Sequence, residues 1–303
     1  MMQSVLRTFF AWIPNEMRSG IAPALALAAG LPLAGCSGLD SVSNPFSSIF
    51  GGGEKYETKI LTDTPADTIY DQGLARLQKK DFTGAGKKFG ELEKQYPNSS
   101  WSQKGLLMQT YSEYTEGKYD EAVATANRYI GLYPSSSDAP YVYYLAGMSY
   151  YNQIPEADKD QDRAEKAMVI FNQLVEKFPK SEYVTDAKFK IQVAKDQLAG
   201  REMKVGRYYL QNSNYTAAIN RFREVLAKYQ STRHTEEALY RLVEAYLKLG
   251  ISSEAQTAAA VLGHNYPDSQ WYKDAYALLK TGNLEPEESS GSWISKVFHK
   301  TVG

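Results

Sequence analysis

Few residues in this chain have the type and spacing to do chemistry. It holds one cysteine, Cys36, and three histidines, His234, His264 and His299. A lone thiol forms no internal disulfide. It builds no zinc site without further ligands, and no histidine here has a partner histidine one helical turn away. "DKDQD" at 158–162 starts like a calcium loop, but Arg163 and Val169 stand where such a loop needs glycine and glutamate. "GAGKKFG" at 84–90 has its third glycine one place late for a nucleotide loop, and it falls inside a helical pattern. "GGG" at 51–53 lacks a following Gly-Lys-Ser/Thr. These residues offer no catalytic constellation, no metal site and no cofactor site, so the expectation is a protein that is not an enzyme.

The chemistry that suits Cys36 is acylation. Arg7 and Arg18 are the basic residues before it, and Ile21–Ala34 carries no charge. A basic start, a short apolar run and small residues at a junction make a secretory signal over 1–35. The run is shorter than the roughly 20 residues that span a bilayer. Leu33, Ala34 and Gly35 before Cys36 resemble a bacterial lipobox. That resemblance implies that Cys36 becomes the N-terminus and carries lipid. Met17 offers a second start beside Met1, and both stay open. Acyl chains would hold the chain to a membrane, and Ser37 after the cysteine favours the outer membrane, on its periplasmic face. Residues 36–65, rich in Ser, Gly, Asp and Thr, read as a flexible tether. The formal net charge is −1, and loss of Arg7, Arg18 and Glu16 makes it one unit more negative. Such balance argues against nucleic acid as a partner.

The positioning elements come from a phrase that recurs. It reads "YPNSSW" at 96–101, "YPSSSD" at 133–138, "FPKSEY" at 178–183 and "YPDSQW" at 266–271, with a degenerate "YQSTRH" at 229–234. Proline stops a helix, and a nearby Ser, Asn or Asp caps the next. Twelve residues before each proline, or before Gln230, stand Ala85, Ala122, Ala167, Ala255 and Ala218. Four residues later come Phe89, Ala126, Phe171, Phe222 and Ala259. Seven later come Leu92, Tyr129, Leu174, Val225 and Leu262. Spacings of four and seven fall on one helical face, which is predicted to be buried. "KKDFTGA" at 79–85, "GKYDEA" at 117–122 and "NSNYTAA" at 212–218 turn one helix into the next.

This pattern resembles the tetratricopeptide repeat. It predicts an all-α solenoid of five helix pairs over about 66–280. The phrase recurs every 37 residues at both ends of the array, but at 45 and 51 in the middle. The first excess sits in "NQIPEADKDQDR", 152–163. The second lies in proline-free 183–211 and predicts one long helix, bent near Gly200, that elongates the fourth unit. Units one to three then occupy 66–182 and units four and five 183–280. In such solenoids the first helix of each pair lines a concave groove. Its open face here is rich in tyrosine, and Tyr70, Tyr111, Tyr114, Tyr141, Tyr144 and Tyr151 are the candidate peptide-binding residues. Tyrosine combines a large ring, a hydroxyl and little rotamer entropy. Plain helix packing is the competing reading for each ring.

Lipobox, tether, repeat order and long helix together resemble the BamD family of the bacterial outer-membrane β-barrel assembly machine. The likeness is carried most specifically by "SEYVTDAKFKIQVAKDQLAGREMKVGRYYLQNSNYTAAINRFREVLAKY" at 181–229 and "EEALYRLVEAYLKLG" at 236–250. It implies a non-enzymatic scaffold. Its C-terminal units would contact a BamA-type barrel subunit and accessory lipoproteins, and its N-terminal groove would receive unfolded outer-membrane proteins. Two features depart from the family: Ser252 replaces the aromatic of the fifth turn, and 284–303 is extra. In the tail, 281–303, "SWISKVF" places Trp293, Ile294, Val297 and Phe298 on one stripe, with Ser292, Ser295, Lys296 and His299 beside it. The polar "EPEESSGS" before it reads as a disordered leash. The hook has two possible targets: the chain's own C-terminal units, or a neighbouring subunit or membrane. The rival function is an envelope adaptor for cell-division or peptidoglycan machinery.

Overall fold

The computed structural model describes residues 64–156 and 159–300. The signal, Cys36 and nearly all of the tether lie outside the described residues. Among them are twelve α-helices and no strand. They pair as α1 (Ala66–Gln78) with α2 (Phe82–Gln95), α3 (Ser100–Glu116) with α4 (Tyr119–Leu132), and α5 (Ala139–Tyr151) with α6 (Asp162–Lys177). Then come α7 (Val184–Gln211) with α8 (Tyr215–Lys228) and α9 (Thr235–Lys248) with α10 (Ser252–Asn265). α11 (Gln270–Thr281) closes the array, and α12 (Trp293–Lys300) follows.

The phrase ends each second helix in one geometry. Tyr96, Tyr133, Phe178, Tyr229 and Tyr266 are all C-caps, with φ between −128° and −138°. Each N–H still bonds the carbonyl four residues back. A residue before proline is pushed out of the helical region, so four of these caps are set by the next residue. Tyr229 adopts the same geometry before Gln230. Capping of the following helix is less uniform than the phrase suggests. Ser99 and Ser269 accept from backbone N–H groups, whereas Asp138, Tyr183 and His234 make no side-chain cap.

The alanines do what their register requires. Ala85, Ala122, Ala167, Ala218 and Ala255 are fully buried, as are the residues four and seven places on. A second register runs along the first helices: Gly73, Thr110, Gly147, Gly206 and Val243, all buried. A Cβ on Gly73, Gly147 or Gly206 would lie 2.4–2.5 Å from the ring of Phe89, Phe171 or Phe222. Where the second helix carries Ala126 or Ala259 instead, the first helix carries Thr110 or Val243. Bulk on one helix is matched by its absence on the other, which is how a close-packed interior stays free of voids. Lys80, Gly117, Ser213 and Gly250 hold positive φ five residues before the alanine in four units. The third unit, with its longer loop, has no such residue among those described.

Successive first helices touch one another along the array, while second helices approach their own pair and the helix that follows, α10 also meeting α12. The first helices therefore line the inner face. The architecture is a tetratricopeptide-type solenoid. α7 runs unbroken through Gly200, whose missing Cβ leaves room for His234 Nε2, 3.3 Å from where it would stand.

The tail corrects the sequence reading. Residues 285–292 form a strap pinned along α10, in place of the expected disordered leash. Gln256 Nε2 donates to the Glu285 carbonyl at 2.9 Å, and Ser289 N–H to Thr257 Oγ1 at 3.2 Å. Polar composition suggested disorder because it hides such backbone bonds. α12 docks on the chain's own α10. Ile294 is fully buried, and Trp293 Nε1 donates to Tyr246 Oη at 2.9 Å. Arg223 stacks on the Trp293 ring at 4.6 Å. Ser295, placed beside the stripe by sequence, is buried and donates to the Ser289 carbonyl at 2.9 Å.

Gly206→Ala tests the packing rule, because two effects oppose each other. Helix propensity favours alanine by about 0.5–1 kcal/mol. Crowding against buried Phe222 costs about 1–3 kcal/mol. The expected outcome is a lower thermal midpoint by circular dichroism. A raised midpoint would mean the ring yields freely.

Candidate functional site: an aromatic shelf on the inner helices

The inner face of the second and third units gathers tyrosines from two helices and from the cap of a third. α3 supplies Tyr111 and Tyr114, and α5 supplies Tyr141, Tyr144 and Tyr151. The residue before α7 is Tyr183. All six are half-buried. Tyr183 stacks on Tyr144 with ring centroids 5.1 Å apart and an interplanar angle of 28°. It meets Tyr141 at 5.3 Å. Tyr144 Oη donates to Asp186 Oδ2 at 2.8 Å. Asn152 Nδ2 donates to Tyr114 Oη at 3.2 Å, and the Tyr114 ring meets Tyr119 at 5.9 Å. Lys190 sets its ammonium over Tyr151 at 4.6 Å.

Burial is the main force on these hydroxyls. It pushes the Tyr141 pKa well above the usual tyrosine value, with Tyr111, Tyr183, Tyr114 and Tyr144 adding to the shift. That mutual influence marks the five rings as one cluster. Burial also raises Tyr144, helped by its bond to Asp186. Tyr183 is raised to about 12, by burial first and then by Glu182. Tyr114 and Tyr151 are raised by burial with a contribution from Asp186.

Of the six residues singled out from sequence, Tyr111, Tyr114, Tyr141 and Tyr144 come together. Tyr151 sits at one margin with Lys190. Tyr70 belongs to the first unit, tilted against Phe89 at 5.5 Å and Trp101 at 5.6 Å. Sequence reasoning missed Tyr183, Asp186, Asn152 and Tyr119. A signal for Tyr183 was present in the sixth letter of the phrase, which is Trp101, Tyr183 or Trp271 in three of the five copies. That position opens the next inner helix and meets the one before it. Trp101 meets Tyr70, Tyr183 meets Tyr144, and Trp271 meets Tyr240 at 5.3 Å.

The inner face of the fourth and fifth units differs in kind. Arg207 donates to Glu237 at 3.0 Å, and Arg241 bonds Glu237 at 3.3 Å and Glu244 at 2.6 Å. The Arg241 guanidinium also lies 5.5 Å from the Trp271 ring centroid. Here paired charges dominate, whereas the shelf is mainly rings with Asp186 and Lys190 among them. No group of three or more potential metal-ligating side chains occurs among the described residues.

Comparison with known proteins places the chain. A family model, YfiO, described as an outer membrane lipoprotein, matches residues 62–262. "Outer membrane protein assembly factor BamD" of Caulobacter vibrioides is 40% identical over 264 residues, covering 87% of this chain and 83% of that protein. The protein of that name from Rickettsia prowazekii is 44% identical over 232 residues, 77% of this chain and 92% of the relative. That of Neisseria meningitidis serogroup A is 29% identical over 262 residues, 83% and 94% of the two chains. Among solved structures, the TPR2AB domain of yeast Sti1, in a pHSP90 complex, aligns at 14% identity with a TM-score of 0.36. The alignment covers 78% of this chain and 98% of that one.

The raised tyrosines predict alkaline unfolding. An unfolded tyrosine ionises near pH 10. Folding holds these protons to higher pH, so stability is complete below about pH 10 and is lost as the pH rises towards 12. Tyrosinate absorbance should rise steeply together with loss of the helical signal. Smooth ionisation of every tyrosine with the helices intact would contradict the buried cluster.

Proposed function

The chain belongs to the outer membrane lipoprotein family that includes the BamD assembly factors, and on that premise we propose that it is a lipid-anchored, non-catalytic scaffold for outer-membrane protein assembly. Its aromatic shelf holds extended segments of unfolded outer-membrane proteins. Its C-terminal units hold a BamA-type barrel subunit and accessory lipoproteins. Cys36 carries the lipid that keeps it at the periplasmic face of the outer membrane. No helix among the described residues is long and apolar enough to cross a membrane, so the anchor supplies the attachment.

The observation that carries the client-binding reading is the convergence of half-buried rings on adjacent inner helices. Tyr111, Tyr141, Tyr144 and Tyr183 pack on the core with part of each ring and leave the rest accessible. Rings of this kind offer area to an extended chain at small entropic cost, and their hydroxyls meet its backbone polar groups. The contrast between the ring-lined shelf and the paired charges of units four and five supports this division of labour.

The double variant Tyr111→Ala/Tyr114→Ala tests the shelf. Binding of a labelled peptide from the end of a barrel protein should weaken at least about tenfold, as for loss of interface aromatics. The helical signal should stay unchanged. Equal affinity in a folded double variant would return these rings to helix packing. The anchor has its own test. Cys36→Ala should remove the lipid mass and leave the chain outside the outer-membrane fraction. Lipid on the variant would end that assignment.

A further inference from the structure

We propose that the shelf contains a guanidinium subsite centred on Asp186, so that the segments it prefers carry an arginine between aromatic or apolar residues. This inference rests on the client-binding reading of the same face.

Asp186 stands in the first turn of α7, half-buried among the rings. Tyr144 donates to its Oδ2 at 2.8 Å and fixes the carboxylate. Its Oδ1 receives no hydrogen bond from any described residue. Lys190, one turn further along α7, forms no ion pair with it and lies instead over the Tyr151 ring at 4.6 Å. The carboxylate also acts on Tyr114, Tyr144 and Tyr151, which reports its reach across the shelf.

Two chemistries therefore meet in one place. The second carboxylate oxygen is open to solvent and can accept from a bound segment, and a charged donor bonds it most strongly. Ring faces around it attract the same cation, as Lys190 over Tyr151 already displays. A planar guanidinium satisfies both, because it can bond the carboxylate edge-on while lying against a ring. An ammonium does one or the other less well. A client carboxylate would be repelled from this point.

The test is a two-by-two binding measurement on the full mature chain. The probes are a labelled extended peptide with arginine between two aromatic residues, and the same peptide with glutamine in place of arginine. The proteins are wild type and Asp186→Asn, which keeps an acceptor for Tyr144. Circular dichroism checks that the variant folds. Either single change should weaken binding about tenfold, and the two together no more than either alone, because both remove one charge-assisted contact. A lysine peptide should fall between the two. Equal affinity of arginine and glutamine peptides for wild type, or losses that simply add, would overturn the subsite and leave the shelf reading standing. Failure of both peptides to bind wild type would overturn the shelf reading and the subsite with it.

Discussion

The close approach of the two helices in each pair is the constraint from which the rest follows. An alanine on the second helix, with either a glycine under a phenylalanine ring or a threonine or valine opposite a second alanine, lets the backbones come together. The ring of Phe89, Phe171 or Phe222 fills the space that Gly73, Gly147 or Gly206 leaves empty. Burying one such phenylalanine contributes about 1.5–3 kcal/mol, beside aliphatic neighbours such as Ile69 and Leu92. Each pair is stable only when stacked on the next, and the stack sets the direction in which every inner helix faces.

That direction creates the shelf. Inner helices held side by side bring Tyr111 and Tyr114 of α3 within reach of Tyr141 and Tyr144 of α5. The phrase residue Tyr183 then closes the cluster because it starts the following inner helix. The long α7 matters for the same reason. Its first turns pack with the third unit and carry Asp186 and Lys190 to the shelf, while its last turns pair with α8 in the fourth. One helix thus belongs to both halves and fixes the ring-lined face relative to the paired charges of Arg207, Glu237 and Arg241.

The fold was legible in the sequence because its determinants are local and periodic. Ala85, Ala122, Ala167, Ala218 and Ala255 announce one buried register, and the proline phrases announce the helix ends. The candidate site was legible only in part. Tyr111, Tyr114, Tyr141 and Tyr144 stand out through crowding on inner helices. Asp186 does not, since a lone acid in the first turn of a helix is also a favourable dipole partner. Only the bond from Tyr144, forty-two residues earlier, gives it a second role. The strap at 285–292 was misread for a related reason. Its order depends on Gln256 and Thr257, side chains that composition does not connect to it.

The tail shows how such a solenoid ends. An array of this kind leaves an apolar face wherever stacking stops. α11 covers the inner side of that face by packing on α9 and α10. The outer side would still expose the surface around Tyr246 and the α10 helix. α12 lies there, with Ile294 buried and Trp293 held between Tyr246 and Arg223. Arg223 belongs to α8, so the tail ties the fourth unit to the fifth as well as covering the end. The strap's polar sequence suits this use. It runs along the edge of α10 in water, with its backbone bonded to polar side chains, and delivers one short apolar helix to the one place where the array has no neighbour. The first unit, whose outer helix α2 is followed by two further pairs before the long helix, has no equivalent cover among the described residues. The closed end therefore coincides with the charged half, and the shelf lies towards the end that the tail leaves open.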